Sequence, residues 1–373
     1  MEVRNKTNAK RAGGMTGRRF FLKSTAALAG AATLGWGRRS HAADEITVFT
    51  WETYHEPPWV SAYTEKTGVK VNVVNTGSVD EMYSKTRSGA IEPDIILVDS
   101  GSIPRYVKAN LLVPFDASKV PNAKNVTSSL DWRSMNTIDG ELYGGIPYNW
   151  GTQPLMYHTE KVVPAPDSWA VLWDTKYKGK VNMFDDSYVT IPMIALYVGA
   201  KDPFNLTDGE FENVREALRE LRPQIRTIAK GFDDATSIYS AGDAVVGYCQ
   251  NIAVVTDLVE RGVPFAYSFP TEGTPSWVDN FVITERGDRQ AVYDFCNECL
   301  TLPWQSEFIQ FSANNGILSE TDARTANVSE DILTKTNIVD QSVAGFFDSL
   351  VFFQPPEDFD RRLEIWNEFK AGG

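Results

Sequence analysis

Strands and helices alternate along the first part of this chain, and that alternation restricts its fold more than any other feature. The sequence predicts strands over 46–51 and 69–73, and helices over 59–67 and 80–89. Asp94 then opens a continuous apolar run to Val98, which is typical of a strand buried on both faces of a parallel sheet. The order β-α-β-α-β predicts an α/β domain.

Ligands of such sheets bind beyond the carboxyl ends of the strands. Two strand ends are therefore expected to line one crevice: Trp51-Glu52-Thr53-Tyr54 after the first strand and Asp99-Ser100 after the third. Later predicted strands carry polar residues at their ends in the same way: Asp185-Asp186 after 181–184, Gln250-Asn251 after 244–248, and Trp277-Val278-Asp279 before 281–283.

The remaining pattern predicts helices over 211–221, 289–302 and 360–370. A length of 373 residues corresponds to about two domains. We find no internal repeat and no flexible linker after residue 44. Two domains without a linker indicate a chain that crosses between them more than once.

The N-terminal segment, residues 1–43, resembles a twin-arginine export signal. Arg18-Arg19 precede Phe20-Phe21-Leu22-Lys23 and an Ala/Gly-rich stretch, 24–36, that is too short for a membrane span. Small residues around 42–43 predict cleavage there, and no Cys precedes Cys249 to carry a lipid. The prediction is a free periplasmic protein; an uncleaved signal anchor is the alternative.

Charge separates this segment from the rest of the chain. The full chain has a net charge of −13, but residues 1–43 hold nine basic residues and one acidic residue, which leaves −21 on the other 330. Such an acidic chain disfavours nucleic acid as a partner and favours cations. Ordinary solubility charge is the alternative interpretation.

Enzyme motifs are scarce. After export only His55 and His158 remain as histidines, and neither a nucleophile elbow nor a phosphate-binding glycine loop occurs. Cys296 and Cys299 have Cys-x-x-Cys spacing but lie within a predicted helix, where buried thiols are the simpler interpretation. Cys249 lies in a predicted cleft turn without an evident base. We expect no catalytic residues, no metal and no cofactor.

Several segments in order along the chain carry a family resemblance: Trp51…Tyr54, 64–71, 93–95, 146–151, 168–173 with 177–180, Asp185-Asp186 and 277–279. With these segments, the chain resembles the periplasmic spermidine/putrescine-binding proteins of ABC importers over roughly residues 45–372. The resemblance implies a two-lobed type II periplasmic binding fold, in which each lobe is a mostly parallel sheet flanked by helices, with hinge crossovers. It places lobe one at 44–148 plus 277–325 and lobe two at 149–276 plus 326–373, with the ligand cleft between them.

The same resemblance assigns roles to single residues. Trp51, Tyr54 and Trp277 match aromatic wall positions, Asp279 and Asp186 match amine-binding carboxylates, and Gln354 matches a ligand-bonding Gln if a gap is allowed. Several positions depart from the family pattern: Glu52-Thr53 reverses a polar-acidic order, Val189 replaces a Glu, Gln250 replaces a Trp, Gly101 or Ser102 and Ile317 replace tyrosines, and Asp99 replaces a neutral residue.

These residue types suit a polyamine, which needs a carboxylate near each ammonium and aromatic faces along its methylene chain. A zwitterion would need an Arg, and only Arg105 and Arg133 lie near predicted cleft segments. The predicted function is capture of a small cationic amine, as a monomer, and delivery to ABC permease and ATPase subunits. An amino acid, γ-aminobutyrate or opine ligand, a chemoreceptor-coupled sensor and an enzyme on this fold remain alternatives.

Overall fold

The computed structural model describes residues 45–372, so the predicted export signal lies outside the described residues. The strands are β1 (Glu45–Trp51), β2 (Lys70–Thr76), β3 (Ile95–Asp99), β4 (Thr137–Ile138), β5 (Glu141–Leu142), β6 (Pro147–Thr152), β7 (Leu155–His158), β8 (Val181–Phe184), β9 (Ile225–Ala229), β10 (Val246–Tyr248), β11 (Phe265–Ser268), β12 (Thr274–Ile283) and β13 (Leu350–Phe352). The α-helices are α1 (Pro57–Thr67), α2 (Val79–Arg87), α3 (Ile103–Lys108), α4 (Trp132–Asn136), α5 (Ser187–Tyr197), α6 (Asp208–Leu221), α7 (Phe232–Ser240), α8 (Ile252–Glu260), α9 (Gln290–Cys299), α10 (Leu302–Ser312), α11 (Glu320–Thr325), α12 (Glu330–Lys335) and α13 (Phe359–Ala371).

Each of the two lobes is built on its own sheet, as the α/β pattern predicts. The first sheet has six strands in the order β13-β12-β3-β1-β2, with β6 also paired to β12. The second has five strands in the order β11-β7-β10-β8-β9. Both sheets are mixed, since β12 runs antiparallel to β3 and β6, and β7 runs antiparallel to β10 and β11. The pairings among β1, β2 and β3 and among β8, β9 and β10 are parallel.

The chain passes from the first sheet to the second after β6 and returns to the first before β12. β6 extends to Thr152 in the first sheet and β7 begins at Leu155 in the second. The return crossing lies between Ser268, the last residue of β11, and Thr274, the first of β12. The segment predicted to belong to lobe two, 326–373, contributes to both lobes, because β13 pairs with β12 while α13 packs on α5 and α6.

Two predicted elements differ from the structure. The helix predicted over 289–302 is two helices, because α9 ends at Cys299 and Thr301 caps α10, with Pro303 in the first turn of the new helix. Trp277 and Asp279 were predicted to precede a strand at 281–283, yet both lie inside β12, which is buried along its whole length. Because β12 carries polar residues on both faces, its sequence does not show the alternation of polar and apolar residues that would predict a strand.

Local signals in the sequence explain the elements that carry the cleft. Pro57 and Pro58 start α1, and Gly68 ends it with φ 77°, a conformation that glycine adopts without steric cost. All five residues of β3 are buried, as its apolar run predicts. Ser78 caps α2 and Asp186 caps α5. Among the described residues, no helix is both long and apolar enough to cross a membrane.

Candidate functional site: a cavity between the lobes

A cavity with about 610 Å³ of empty space, part of it open to solvent, lies where the strand ends of the two lobes meet. Both lobes contribute to its walls. The first lobe supplies Trp51, Glu52, Tyr54, Thr76, Gly77, Val79, Asp99, Trp277, Asp279 and Phe353, and the second supplies Phe184, Asp186, Val189, Gly231, Phe232, Gln250 and Asn251, with Gln153 from the crossover. The cavity therefore occupies the position that strand order predicts for a ligand site.

Two tryptophans and a tyrosine, beside Phe353, are aromatic residues of the first lobe's wall. Trp51 ends β1, and Tyr54 follows it in the next turn. Trp277 lies opposite Gly151 in the β6–β12 pairing. A Cβ atom on Gly151 would lie 2.4 Å from Cζ2 of Trp277, so the missing side chain leaves the space that the indole ring occupies. Aromatic faces placed in this way can contact a methylene chain or a cation.

Asp279 is a buried carboxylate on the same wall. It lies two residues after Trp277 on β12, so both side chains face the cavity. Its Oδ2 accepts a hydrogen bond from Tyr54 Oη at 2.6 Å, and Tyr54 Oη in turn accepts one from Asn149 Nδ2 at 2.9 Å. Burial raises the pKa of Asp279 well above its ordinary value, and the charge of Asp99 adds to this, while Tyr54 and Trp51 oppose it.

Asp99 lies beside Asp279, because these two residues are opposite each other in the antiparallel β3–β12 pairing. Ser102 donates its hydroxyl to Oδ2 at 2.6 Å and its backbone N–H to Oδ1 at 3.1 Å. Tyr188 Oη, from the second lobe, donates to Oδ1 at 2.6 Å. Burial raises the pKa of Asp99, although these donors favour its charged form.

Asp186 faces the same cavity from the second lobe. It caps α5 by accepting the backbone N–H of Tyr188 on Oδ1 at 2.9 Å. Its Oδ2 accepts the backbone N–H of Val79, the first residue of α2, also at 2.9 Å. Burial raises the pKa of Asp186 well above its ordinary value, with a further contribution from Asp80. Asp186, the carboxylate predicted to bind an amine, therefore also accepts hydrogen bonds from the N-termini of two helices, α5 and α2.

Glu52 is the fourth carboxylate of the cavity wall and is half-buried. Its pKa is raised by burial and by the charge of Asp233. Among the described residues that line the cavity, none is Lys, Arg or His. Arg105 instead pairs with Asp80 and lies over the ring of Tyr83, at 3.8 Å from its centroid. Arg133 lies over Trp132, so neither predicted candidate for a carboxylate-binding Arg lines the cavity.

Eight of the residues predicted from the sequence line this cavity: Trp51, Glu52, Tyr54, Asp99, Asp186, Gln250, Trp277 and Asp279. Three do not. Thr53 has φ 69° and lines a separate groove beside α8 and α10. Ser100 is buried and donates to Asn136 Oδ1 at 2.9 Å. Gln354 is exposed, and its neighbour Phe353 lines the cavity in its place.

Other lining residues were not singled out from the sequence. Phe184, Phe232 and Phe353 are apolar residues that no sequence pattern distinguishes from core positions. Gln153 follows β6 directly and is fixed by two hydrogen bonds: its Oε1 accepts from Tyr248 Oη, and its Nε2 donates to the carbonyl of Gln250. The sequence predicts no strand directly before Gln153, so the rule for strand ends did not select it. Trp150, by contrast, is fully buried against Phe347 and does not line the cavity.

The cysteines and histidines lie apart from the cavity wall. All three cysteines are free and buried, and burial raises the pKa of Cys249 to about 12, which disfavours the reactive thiolate. His55 is buried against Tyr148, and burial lowers its pKa to about 3. Within residues 45–372, no group of three or more His, Cys, Asp or Glu side chains is arranged to hold a metal ion.

Comparison with known families identifies the class of protein. The family model described as "Bacterial extracellular solute-binding protein" matches residues 58–332. The chain belongs to this family. A cavity between two lobes agrees with this class of protein.

Two characterised relatives and one solved structure are similar to this solute-binding protein. The spermidine/putrescine-binding periplasmic protein of Salmonella typhimurium is 28% identical over 263 residues, covering 68% of this chain and 72% of the relative. The putrescine/agmatine-binding protein of Pseudomonas aeruginosa is 26% identical over 258 residues, covering 65% and 69%. A putative spermidine/putrescine ABC transporter structure from Listeria monocytogenes superposes with a TM-score of 0.77 at 20% identity, covering 88% and 99%, and so supports the fold.

Proposed function

We propose that this protein is the solute-binding component of an ABC importer and that it captures a small cationic amine of the putrescine and spermidine class in the cavity between its lobes. The observation that carries this proposal is the charge of the wall: Asp99, Asp186, Asp279 and Glu52 line it, and no lining residue in the described chain is basic. A desolvated carboxylate without a cation is costly, so a cationic ligand completes the site.

The rest of the wall suits the methylene chain of such an amine. Trp51 and Trp277 in the first lobe and Phe184 and Phe232 in the second provide apolar and aromatic surface. Cation–π contacts with such rings contribute about 0.5–2 kcal/mol each. A zwitterionic ligand would place its carboxylate in the same cavity, where no lining Arg or Lys is available to pair with it.

The amine would be delivered to a membrane permease and its ATPase subunits. Contacts from both lobes form together only in the closed arrangement, so binding shifts the population towards that arrangement. Export by the twin-arginine route, with cleavage near residue 42–43, would place the protein in the periplasm. Two similar relatives carry names that state polyamine binding, which supports the same assignment.

Thermal unfolding of the purified protein against a panel of ligands tests this proposal. The panel contains putrescine, cadaverine, agmatine, spermidine, choline, γ-aminobutyrate and the common amino acids. A ligand at about 100 times its dissociation constant adds about 2.7 kcal/mol of stability, which raises the midpoint by a few degrees. We expect a shift with the amines and none with γ-aminobutyrate. A shift with zwitterions alone would contradict the proposal.

A further inference from the structure

Three consecutive residues at the start of α5 form hydrogen bonds to the first lobe. Oδ2 of Asp186 accepts a hydrogen bond from the backbone N–H of Val79, the first residue of α2, at 2.9 Å. Ser187 Oγ donates to Oδ2 of Asp80 at 3.0 Å, and Tyr188 Oη donates to Oδ1 of Asp99 at 2.6 Å. Because α5 belongs to the second lobe while α2 and β3 belong to the first, each of these bonds requires the lobes to be closed.

Two of the four carboxylates that line the cavity, Asp186 and Asp99, have both of their oxygens engaged in hydrogen bonds within the protein. Both oxygens of Asp186 accept a backbone N–H, and both oxygens of Asp99 accept donors from Ser102 or Tyr188. Asp279 differs, because the side chain that hydrogen-bonds it, Tyr54, belongs to its own lobe. Glu52 accepts no hydrogen bond from the described residues. Asp279 and Glu52 are therefore the carboxylates that closure leaves for the ligand.

Gly101 is what allows Tyr188 to reach across the cleft. A Cβ atom at this position would lie 2.2 Å from Tyr188 Oη and 2.8 Å from the backbone of Gln354. Any side chain larger than hydrogen would therefore displace the hydroxyl from Asp99. Tyr188 itself is buried and stacked between Phe353 and Phe359, so its position is fixed by packing.

We propose that Asp186 and Tyr188 are positioning residues that hold the lobes closed, and that Asp279 and Glu52 alone pair with the ligand's charges, so that the preferred ligand is a diamine. This inference rests on the proposed function and narrows it. Two carboxylates can neutralise two ammonium groups. A triamine would enclose a third ammonium whose nearest carboxylates already accept hydrogen bonds from both lobes, and an unpaired desolvated ammonium is costly.

Calorimetric titration of the purified protein with putrescine and with spermidine is the first test. We expect putrescine to bind at least about tenfold more tightly, a difference of roughly 1.4 kcal/mol. Equal or tighter binding of spermidine overturns this inference and leaves the proposed function intact. If neither putrescine nor spermidine binds, and no other amine of the ligand panel does, the proposed function and this inference are overturned together.

Two variants separate closure from ligand pairing. In Tyr188→Phe and Asp186→Asn we expect the affinities for putrescine and spermidine to fall by the same factor, about three- to tenfold, because closure is common to both ligands. Small-angle scattering should show a larger radius of gyration for the ligand-free variants. A loss at least tenfold greater for spermidine than for putrescine would show that Asp186 holds a third ammonium and would overturn the inference.

Tyr239→Phe is the matched control. Tyr239 is a buried tyrosine whose hydroxyl lies 3.4 Å from Asn182 within the second lobe, so its loss should leave both affinities and the radius of gyration unchanged. Asn is itself a good helix cap, which keeps Asp186→Asn close to the native fold. If Asp186→Asn still fails to fold, Tyr188→Phe decides between the two outcomes, because it removes a hydroxyl and no cap.

Discussion

The two lobes line the cavity with different kinds of residue. The first lobe contributes Asp279 and Glu52, which closure leaves without a partner from the second lobe, and the indole of Trp277 beside them. The second lobe contributes mainly apolar and amide groups, and its one lining carboxylate, Asp186, caps a helix. If an amine binds as proposed, we expect it to pair first with the carboxylates of the first lobe and then to be covered by the second lobe.

Asp279→Asn should have the largest effect on this arrangement. The substitution keeps the shape of the side chain and removes the charge that pairs with the ammonium. We expect amine affinity to fall by about 10–150-fold, which corresponds to the roughly 1.5–3 kcal/mol of a charge-assisted hydrogen bond. Calorimetric titration with putrescine measures the change.

Asp243→Asn is the matched control, because Asp243 pairs with Arg226 on the surface of the second lobe and does not line the cavity. Its affinity for putrescine should equal that of the native protein. If Asp186→Asn weakens putrescine binding as strongly as Asp279→Asn does, the two lobes share the ligand's charge and the contrast between them is wrong.

The pH dependence of binding should reveal the same carboxylate. Burial raises the pKa of Asp279, while the ligand's ammonium groups, with a pKa near 10, stay protonated. As the pH falls through this raised pKa, the free protein takes up a proton that binding must release. Amine affinity should therefore decrease on acidification, by up to about tenfold per pH unit, beginning above the range of an ordinary aspartate.

Titrations at several pH values check this prediction, and Asp279→Asn should show a flatter profile because residue 279 then takes up no proton, while Glu52, Asp99 and Asp186 still can. The pKa of Glu52 is also raised, so a residual slope of the same sign is expected. If the amine affinity of the native protein is the same from about pH 8 to about pH 5, Asp279 does not change its protonation state over this range and does not control binding.

Sequence patterns predicted the first lobe's share of the cavity better than the second's. Trp51 and Asp99 end strands that the sequence predicts clearly, and Tyr54 follows the first of them, so the rule for strand ends locates all three directly. Phe184 and Phe232 face the cavity from the second lobe, where an apolar residue at a strand end or at a helix start does not differ from a core residue in the sequence. Their role depends on how the lobes meet, which no local pattern encodes.

Three further features of the site lie beyond what the sequence predicts, each for a physical reason. Gln354 was placed by a gapped match, but side chains in extended chain point alternately to opposite sides, and Phe353 takes the inward position. Thr53 adopts a left-handed turn that directs it to another groove. Asp186 lines the cavity as predicted, but its bond to the N–H of Val79 depends on closure, which the sequence does not report.

Gly151→Ala should have the smallest effect and should act on the first lobe's aromatic wall alone. The new Cβ would lie 2.4 Å from Cζ2 of Trp277, so the indole must shift from its present position in the cavity wall. We expect putrescine affinity to fall about two- to fivefold, in keeping with about 0.5–1 kcal/mol for a cation–π contact. Calorimetry measures the affinity and tryptophan fluorescence reports the displaced ring.

Gly209→Ala, in the first turn of α6 where a Cβ meets nothing within 4 Å, is the control. An unchanged affinity together with a lowered unfolding midpoint would show that Trp277 packs the lobe and does not contact the amine, leaving charge as the first lobe's sole contribution to binding.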